Sequence, residues 1–491
     1  MTGIDPSSPV PLYYQLKLLL REQIDQGYLK PGDKIPTEAE LCAQYAISRT
    51  PVRQAVLELA REGLLTRTVG RGTFVAPRRE ELIALQVTVP DERWQWPLEE
   101  AMRLWNAGRP GSRVTLSFQT VPLDELRDQL SLDVARGEAP DISVLDSVWV
   151  AEFAHRRYLC PPADIDAAWV AELRDEIYPS LLRANSFQGQ LYAVPTNADA
   201  AVLWYRRDWL EAEGIPPPTT WRELAAAAAH FARPQIQTRY GTAAHPLIFC
   251  AGRAAGETTT YQMLPFLWSN GGDILDGNHV VLDSAANRQV LAFLRDLVLP
   301  KELAPPDVTT LPWDGAWRAF ARSEVALALG GTYENFLIQS AAGWDSATFA
   351  RRVGFVPVPA GPQGTQATLV GGMTYGIYRQ TAHAKEALAL LKFALSAPIL
   401  QPFSLQTAQN PASRAVADAI APDKESFLAR TAQLFADGGS RPSLAAYPLV
   451  SAQFGEMLEL CLSGELSVER ALRRAAERIG GITAYPVHPF P

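Results

Sequence analysis

Two sets of side chains in this sequence have residue types and spacings that can do chemistry. The first set brings polar and basic residues together near the N-terminus, at Ser48, Arg49, Thr50 and Arg53. Guanidinium groups donate several hydrogen bonds in one plane, so they can bind phosphate oxygens and base edges. The second set contains two carboxylates, Asp146 and Asp199, which lie next to apolar runs. Such carboxylates can accept hydrogen bonds from a polar ligand or form an acid–base pair.

The charges of the 491-residue chain are divided unevenly along its length. The formal net charge is −8, but residues 1–79 hold 11 Lys and Arg against 8 Asp and Glu, a net charge of +3. The remaining residues then carry −11. This balance excludes a chain that coats nucleic acid along its whole length. It favours a small basic domain that alone meets phosphates, attached to an acidic body.

Three predicted helices position the first set. Apolar residues recur at helical spacing from Leu12 to Ile24. Thr37 and Glu40 form a Thr-x-x-Glu capping box that opens a second helix, and Ser48 caps a third one. The basic residues therefore lie at the start of the second helix of a helix-turn-helix.

A predicted hairpin follows the third helix. Residues 64–68 and 73–75 are typical of two short strands, and Gly70-Arg71-Gly72 can form the turn between them. Its glycines would let the backbone approach DNA closely, and Arg71 could enter a minor groove. The hairpin is therefore interpreted as the wing of a winged helix-turn-helix.

The same residues carry a family resemblance over nearly all of residues 10–76. They resemble the GntR family of winged helix-turn-helix regulators through the runs PLY at 11–13, PGDKIPTEAEL at 31–41, SRTPVRQA at 48–55, EGLL at 62–65 and GRGTFV at 70–75. The resemblance implies DNA contacts by the side chains of Ser48, Arg49, Thr50 and Arg53 and by Gly70. It also implies dimers on near-palindromic operators.

Simpler interpretations of these basic residues remain open. Arg49 and Arg53 could line a solvated helix face, and Arg71 could be an exposed hairpin tip without a partner. Ala39 also stands where many relatives carry an arginine, which leaves the usual DNA contact at that position without a counterpart.

The second set lies in a region where short apolar strands alternate with helices. Residues 82–89, 113–118 and 141–146 are predicted strands, and residues 124–132 are helical. This order indicates α/β layers with largely parallel sheets, in which ligands bind beyond the carboxyl ends of strands. Asp146 ends one such strand. The alternative for Asp146 is a helix cap for the segment that starts at Ser147.

A second resemblance spans about residues 83–480. The runs PDISVLDSVW at 140–149, LYAVP at 191–195 and WSNGG at 268–272 look like those of extracellular sugar-binding proteins of ABC importers, in particular the maltose and trehalose branch. The resemblance implies two α/β lobes joined by crossing strands, which close on a ligand. It also implies the ligand contacts Asp146, Asn197, Asp199, Trp268, Tyr333 and Arg414.

The residue types in that set suit a sugar. A pyranose has polar edges and an apolar C–H face, so it needs charged acceptors around it and an aromatic platform. Trp268 and Tyr333 could also be ordinary core aromatics. Met373 departs from the family pattern, because relatives commonly have tryptophan after this Gly-Gly. The ligand could therefore be an unusual sugar, a sugar acid, a polyol or another polar solute.

These observations predict an α/β protein with two parts. Residues 1–79 form a winged helix-turn-helix, and residues 80–491 form a two-lobed periplasmic-binding-protein-like (type II) sensor. The predicted function is a sugar-responsive transcriptional regulator that binds double-stranded operator DNA as a homodimer. The alternatives are an importer's binding protein and, less favoured, a sugar-acting enzyme that uses Asp146 and Asp199.

The sequence also predicts what the protein does without. Its four cysteines lie far apart and form no Cys-x-x-Cys, so neither a metal site nor another cofactor is expected. No hydrolase elbow, phosphate loop or HExxH motif is present, so no enzyme activity is expected. No signal peptide and no uncharged run of eighteen apolar residues is seen, which predicts a cytoplasmic protein without a membrane partner.

Overall fold

The computed structural model describes residues 4–76, 81–109 and 112–488. Contacts within the chain divide it into two compact units, which are Met1–Ile83 with Asn106–Val114, and Ala84–Trp105 with Thr115–Pro491. The predicted domain boundary, between residues 79 and 80, falls on residues outside the described ones and stays a prediction. We refer to residues 4–76 as the head and to the second unit as the body.

The head is a winged helix-turn-helix, as predicted. Its elements are α1 Leu12–Asp25, α2 Glu38–Tyr45, α3 Arg49–Arg61, β1 Leu65–Thr68 and β2 Gly72–Val75. Both bonds of the capping box at Thr37 and Glu40 are present and fix the start of α2. The strands pair antiparallel, with Leu65 opposite Val75. Leu16, Val52 and Leu59 are fully buried where the three helices pack.

The remaining strands are short, and most belong to two larger sheets. They are β3 Glu81–Val89, β4 Ser112–Thr120, β5 Ile142–Asp146, β6 Ser186–Phe187, β7 Gln190–Leu191, β8 Ala193–Pro195, β9 Asn197–Arg206, β10 Leu247–Ile248, β11 Leu275–Asp276, β12 His279–Val280, β13 Leu327–Gly331, β14 Val353–Val356, β15 Val370–Gly371, β16 Met373–Ile377 and β17 Asn410–Pro411. One sheet has the order β4-β3-β5-β16-β8, and the other has the order β10-β13-β9-β14, with β15 and β17 also pairing β9.

Helices separate these strands along the chain. They are α4 Gln95–Gly108, α5 Leu123–Arg136, α6 Val150–His155, α7 Ala167–Glu176, α8 Pro179–Ala184, α9 Arg207–Ala212, α10 Trp221–Phe231, α11 Pro234–Tyr240, α12 Glu257–Trp268, α13 Ala285–Val298, α14 Gly315–Ala321, α15 Glu334–Ala342, α16 Ser346–Arg352, α17 Ala384–Ala394, α18 Ala397–Thr407, α19 Arg414–Ile420, α20 Phe427–Ala432, α21 Leu434–Asp437, α22 Tyr447–Leu462 and α23 Val468–Thr483. Short 3₁₀ helices lie at Glu92–Trp94, Ser147–Trp149, Pro162–Asp164, Arg253–Ala255 and Pro306–Thr309.

The prediction of largely parallel sheets is wrong at the centre of the body. β3 with β5 and β10 with β13 are parallel, but β16 runs antiparallel to β5 and β8, and β9 runs antiparallel to β13 and β14. The reason lies in the connection of the two sheets. β8 and β9 lead the chain from the first sheet into the second, and β15 and β16 lead it back, so these strands run in opposite directions.

The crossing strands pair closely where they meet; they are β9, β15, β16 and β17. Gly371 pairs with Asp199, and Asn410 pairs with Ala198. Gly372, between β15 and β16, has a φ of +154°, and a Cβ there would lie 2.2 Å from the carbonyl oxygen of Asn197. Only glycine fits this approach of two strands without a shift of the backbone.

A membrane-spanning helix is not found among the described residues. The helices α17 and α18 reach the necessary length and apolar character only when they are taken together, and a bend of 61° separates them.

Candidate functional site

The start of α3 presents a polar and basic face. Ser48 precedes the helix as its N-cap residue, yet its hydroxyl makes no capping bond. Ser48, Arg49, Thr50 and Arg53 are all exposed. Arg49 and Arg53 lie on one side of α3 because they are four residues apart, while Val52, Ala55 and Val56 face the core. The helix therefore presents two guanidinium groups side by side at its N-terminal end.

The basic residues of the head differ in whether they have acidic partners. Lys17 pairs with Glu58 at 3.0 Å and with Glu62 at 2.7 Å, and Arg67 pairs with Glu38 at 3.0 Å. Within residues 4–76, by contrast, Arg49, Arg53 and Arg71 make no ion pair. Their charges remain available to phosphates.

The hairpin turn brings two glycines to the tip of the wing. Gly70 and Gly72 have φ values of +76° and +125°, which disfavour other residues. A Cβ at Gly72 would lie 2.6 Å from Cε of Lys34, whereas Gly70 faces open space. Val69 is fully exposed and Arg71 is exposed, so the turn from Val69 to Arg71 faces solvent.

In the body, the two predicted carboxylates flank the same crossing segment. Asp146, the last residue of β5, pairs with Met373, and Asp199 in β9 pairs with Gly371. Oδ1 of Asp146 accepts a hydrogen bond from the backbone N–H of Val148 at 3.1 Å. Asp146 thus caps the short helix Ser147–Trp149, as its alternative interpretation proposed. A contact between the ligand and Oδ2, the other carboxylate oxygen of Asp146, stays a prediction.

Asp199 lies in a nearly closed environment. Its exposed fraction is 8%, and its Oδ1 accepts a hydrogen bond from the hydroxyl of Tyr261 at 2.8 Å. Burial raises the pKa of Asp199 to about 6, although the bond from Tyr261 and the charge of Arg441 oppose that rise. The neighbouring Asp146 carboxylate adds to it. Asp199 is therefore a carboxylate whose charge is poorly solvated.

An arginine that sequence reasoning missed completes this site. The Nε of Arg441 lies 2.6 Å from Oε1 of Glu257, and its guanidinium packs over the ring of Tyr261 at 5.2 Å. Glu257 also accepts hydrogen bonds from the hydroxyls of Tyr447 at 2.7 Å and Ser451 at 2.5 Å. Burial disfavours the charged guanidinium, yet Glu257 holds the pKa of Arg441 above its ordinary value.

Local helix geometry explains why these partners converge. Glu257 and Tyr261 are four residues apart on α12, and Tyr447 and Ser451 are four apart on α22, so each pair shares one helix face. The two faces meet where the hydroxyls of Thr260 and Ser451 bond at 2.7 Å. The run GGSRP at 438–442 does not mark Arg441 as a buried residue, so no local sequence signal points to it.

The two predicted aromatic contacts lie near this cluster. The ring of Tyr333 meets Tyr261 edge to face, with centroids 5.9 Å apart. Trp268 packs partly buried against the core, and a Cβ at Gly439 would lie 2.5 Å from its Cζ3. Trp268 therefore supports the segment that carries Arg441.

Asn197 and Arg414 make hydrogen bonds within the protein, and their ligand contacts stay predictions. Asn197 is 3% exposed; its Oδ1 accepts from the backbone N–H of Met373 at 2.7 Å, and its Nδ2 donates to Gln409 at 2.8 Å. These two hydrogen bonds hold the crossing strands together. Arg414 is exposed and donates to the carbonyl oxygens of Asp175 and Glu176. A cation at these carbonyls stabilises the end of α7.

Fold and site together define a two-lobed solute-binding body that carries a winged helix. Residues 88–399 match the bacterial extracellular solute-binding proteins, and the chain belongs to that family. Residues 12–75 match the bacterial regulatory proteins of the gntR family. These matches confirm both resemblances. The two families are binding proteins and regulators, not enzymes.

Individual relatives divide in the same way. A Brucella abortus protein named as a binding protein is 26% identical over 298 residues, which are 60% of this chain and 67% of that protein. The repressor NagR of Bacillus subtilis is 47% identical over 82 residues, which are 16% of this chain and 34% of that protein. The structure of maltose-bound MalE3 of T. maritima is similar with a TM-score of 0.68 and 27% identity, over 82% of this chain and all of that chain.

Proposed function

We propose that this protein is a sugar-responsive transcriptional regulator of the cytoplasm, which binds operator DNA as a homodimer. One observation carries the proposal: a winged helix with unpaired arginines and a solute-binding body with a built polar site occur in a single chain. A sugar bound in the body would alter operator binding by the two heads.

The DNA half of the proposal rests on α3 and the wing. Arg49 and Arg53 would donate to base edges in a major groove, while the hydroxyls of Ser48 and Thr50 bind phosphates nearby. The backbone of Gly70 and the side chain of Arg71 would contact an adjacent groove. The free guanidinium groups support these roles, because ion-paired ones would first have to leave their partners.

The ligand half rests on the cluster around Arg441. Asp146 and Asp199 would accept hydrogen bonds from sugar hydroxyls, Arg441 would donate to them, and Tyr333 would stack on a C–H face. Trp268 would act from behind, by holding the segment of Arg441. The likeness to a maltose-bound protein supports a sugar as the ligand class.

The crossing strands offer a route between the two activities. A sugar that contacts both lobes favours the closed form by its higher affinity for that form. Closure in a dimer would change the distance or angle between two heads, whose half-sites lie about one helical turn apart on the duplex. Couplings of this kind are worth about 1–3 kcal/mol.

The experiment begins with the intact protein and two measurements. Light scattering should give about twice the chain mass of 53.8 kDa. A thermal-shift screen of sugars should find a stabilising ligand, which adds about 2.7 kcal/mol at a hundred times its dissociation constant. A monomer in the presence of its DNA, or a screen in which every sugar leaves the unfolding temperature unchanged, would overturn the corresponding half of the proposal.

A further inference from the structure

The polar site of the body holds more carboxylates than cations. Burial is the largest cause of the raised pKa of both Asp199 and Glu257, and the neighbouring Asp146 carboxylate adds to the rise in each case. In both cases the cation that opposes the rise is Arg441. A fourth acid, Glu334, also interacts with Asp199, but burial raises the pKa of Glu334 to about 8. Glu334 is therefore mainly protonated at pH 7, and the three other carboxylates face one positive charge.

That single cation is already committed to one of the three acids. Arg441 pairs with Glu257, whose two oxygens also accept from Tyr447 and Ser451. Glu257 is therefore satisfied inside the protein. The two remaining acids are not, because among the described residues neither Asp146 nor Asp199 has a salt-bridge partner.

Each of these two carboxylates has one oxygen that accepts no hydrogen bond from the described residues. Oδ1 of Asp146 accepts from Val148 and Oδ1 of Asp199 accepts from Tyr261. In the part of the chain that the structure describes, no donor reaches either Oδ2. Ser147, the next residue after Asp146, is only 3% exposed, and its buried hydroxyl has no hydrogen-bond partner either. Buried polar atoms without partners are uncommon in folded proteins.

We propose that the solute of this site carries a positively charged amine, and that the free oxygens of Asp146 and Asp199 hold it. The ligand class is then a hydroxylated amine, such as an amino sugar, and sugar acids are excluded. This inference rests on the proposed solute-binding function and specifies its ligand. The physical reason is that the charges of the buried Asp199 and the half-buried Asp146 are more stable when they are paired, and a bound ammonium group supplies the missing partner.

The first test uses the ligand-free protein. Asp199→Asn removes a buried charge that has no salt-bridge partner and keeps the shape, so it should raise the unfolding temperature. Asp146→Asn makes the same change at a half-buried position and should raise it less. Asp345→Asn is the matched control, because Asp345 also caps a helix but is exposed and lies outside the site. It should change the unfolding temperature little. A fall in unfolding temperature for Asp199→Asn would show that the protein already compensates this acid, and would overturn the inference.

The second test compares matched solutes by calorimetry on the full chain at pH 7. The series are glucose, glucosamine and glucuronate, and galactose, galactosamine and galacturonate. The amine should bind at least tenfold tighter than the neutral sugar in the series that fits, and the acid should bind weakest. Asp199→Asn should abolish the preference for the amine, while Asp345→Asn should keep it.

The outcomes separate the two proposals. If a neutral sugar binds as tightly as its amine, the solute-binding function stands and the charge assignment falls. If both Asp→Asn variants weaken neutral and amino sugars equally, the carboxylates serve only as acceptors for hydroxyls, which also overturns it. If no sugar of any charge binds, the proposed sugar function fails, and the unfolding temperatures of the ligand-free variants decide the charge assignment.

Discussion

The arginines of the head and of the body are held in opposite ways. Arg49 and Arg53 are exposed and make no ion pair within the described head, whereas the side chain of Arg441 is 9% exposed and pairs with Glu257. An exposed guanidinium can adjust to a long polyanion and release counterions there. A buried and paired one is fixed in advance for a small ligand. The same side chain thus serves two kinds of recognition, and its surroundings decide which.

The largest loss of stability is expected when the partner of the buried arginine is removed. Glu257→Ala should lower the free energy of unfolding by about 3 kcal/mol, because it removes the ion pair with Arg441 and leaves the hydroxyls of Tyr447 and Ser451 without their acceptor. Urea denaturation measures the change. Glu324→Ala is the control, since the pair of Glu324 with Arg322 is largely exposed and should contribute at most about 1 kcal/mol. Equal losses for the two variants would mean that Arg441 is not held as a buried ion pair.

The second prediction concerns pH and Asp199. Its pKa in the folded protein is raised from 3.8 to about 6, so between pH 4 and 6 the folded state binds more protons than the unfolded state. The contribution of this group to stability is therefore full below pH 4 and is lost as the pH rises through 6. A shift of about two pKa units corresponds to about 3 kcal/mol.

Urea denaturation of wild type and Asp199→Asn across pH 4–8 measures that contribution by difference. The stability of wild type relative to the variant should fall between pH 4 and 6 and stay constant above. A constant difference over the whole range would contradict the raised pKa.

The smallest effects are expected in the head. Arg49→Ala and Arg53→Ala should each weaken DNA binding by about 1–3 kcal/mol, the value of a good contact to a base edge. Neither change should alter solute affinity or stability by much, because both side chains are exposed. Fluorescence anisotropy on a duplex selected by the protein from a random pool measures the loss. Arg61→Ala, at the other end of α3, is the matched control.

The head could be predicted from the sequence to within a residue or two at most element ends. Its signals are local: the capping box at Thr37, the helical spacing around Val52, and the glycines of the hairpin all act over a few positions. The family resemblance of the body also predicted its two lobes. The direction of its crossing strands was missed, because the alternation of strands and helices does not show that a strand returns from another lobe.

The polar site was only partly predictable for a related reason. Asp146 ends an apolar strand and Asp199 interrupts an apolar run, and the family resemblance implied a ligand contact for both. Glu257 and Arg441 lie far apart in the sequence, and nothing local marks either of them as half of a buried pair. A late arginine such as Arg414 looks the same in the sequence whether it binds a ligand or the carbonyl oxygens at a helix end.

Solute binding in the body is expected to change DNA binding by the head. The direct measurement is the affinity of the full chain for its selected duplex, with and without a saturating solute found by thermal shift. We expect at least a fivefold change in wild type. Asp199→Asn, whose head is intact, should bind the duplex like wild type without solute, and should need much more solute for the same change. If saturating solute leaves the affinity of wild type for DNA unchanged, solute binding in the body does not control DNA binding by the head.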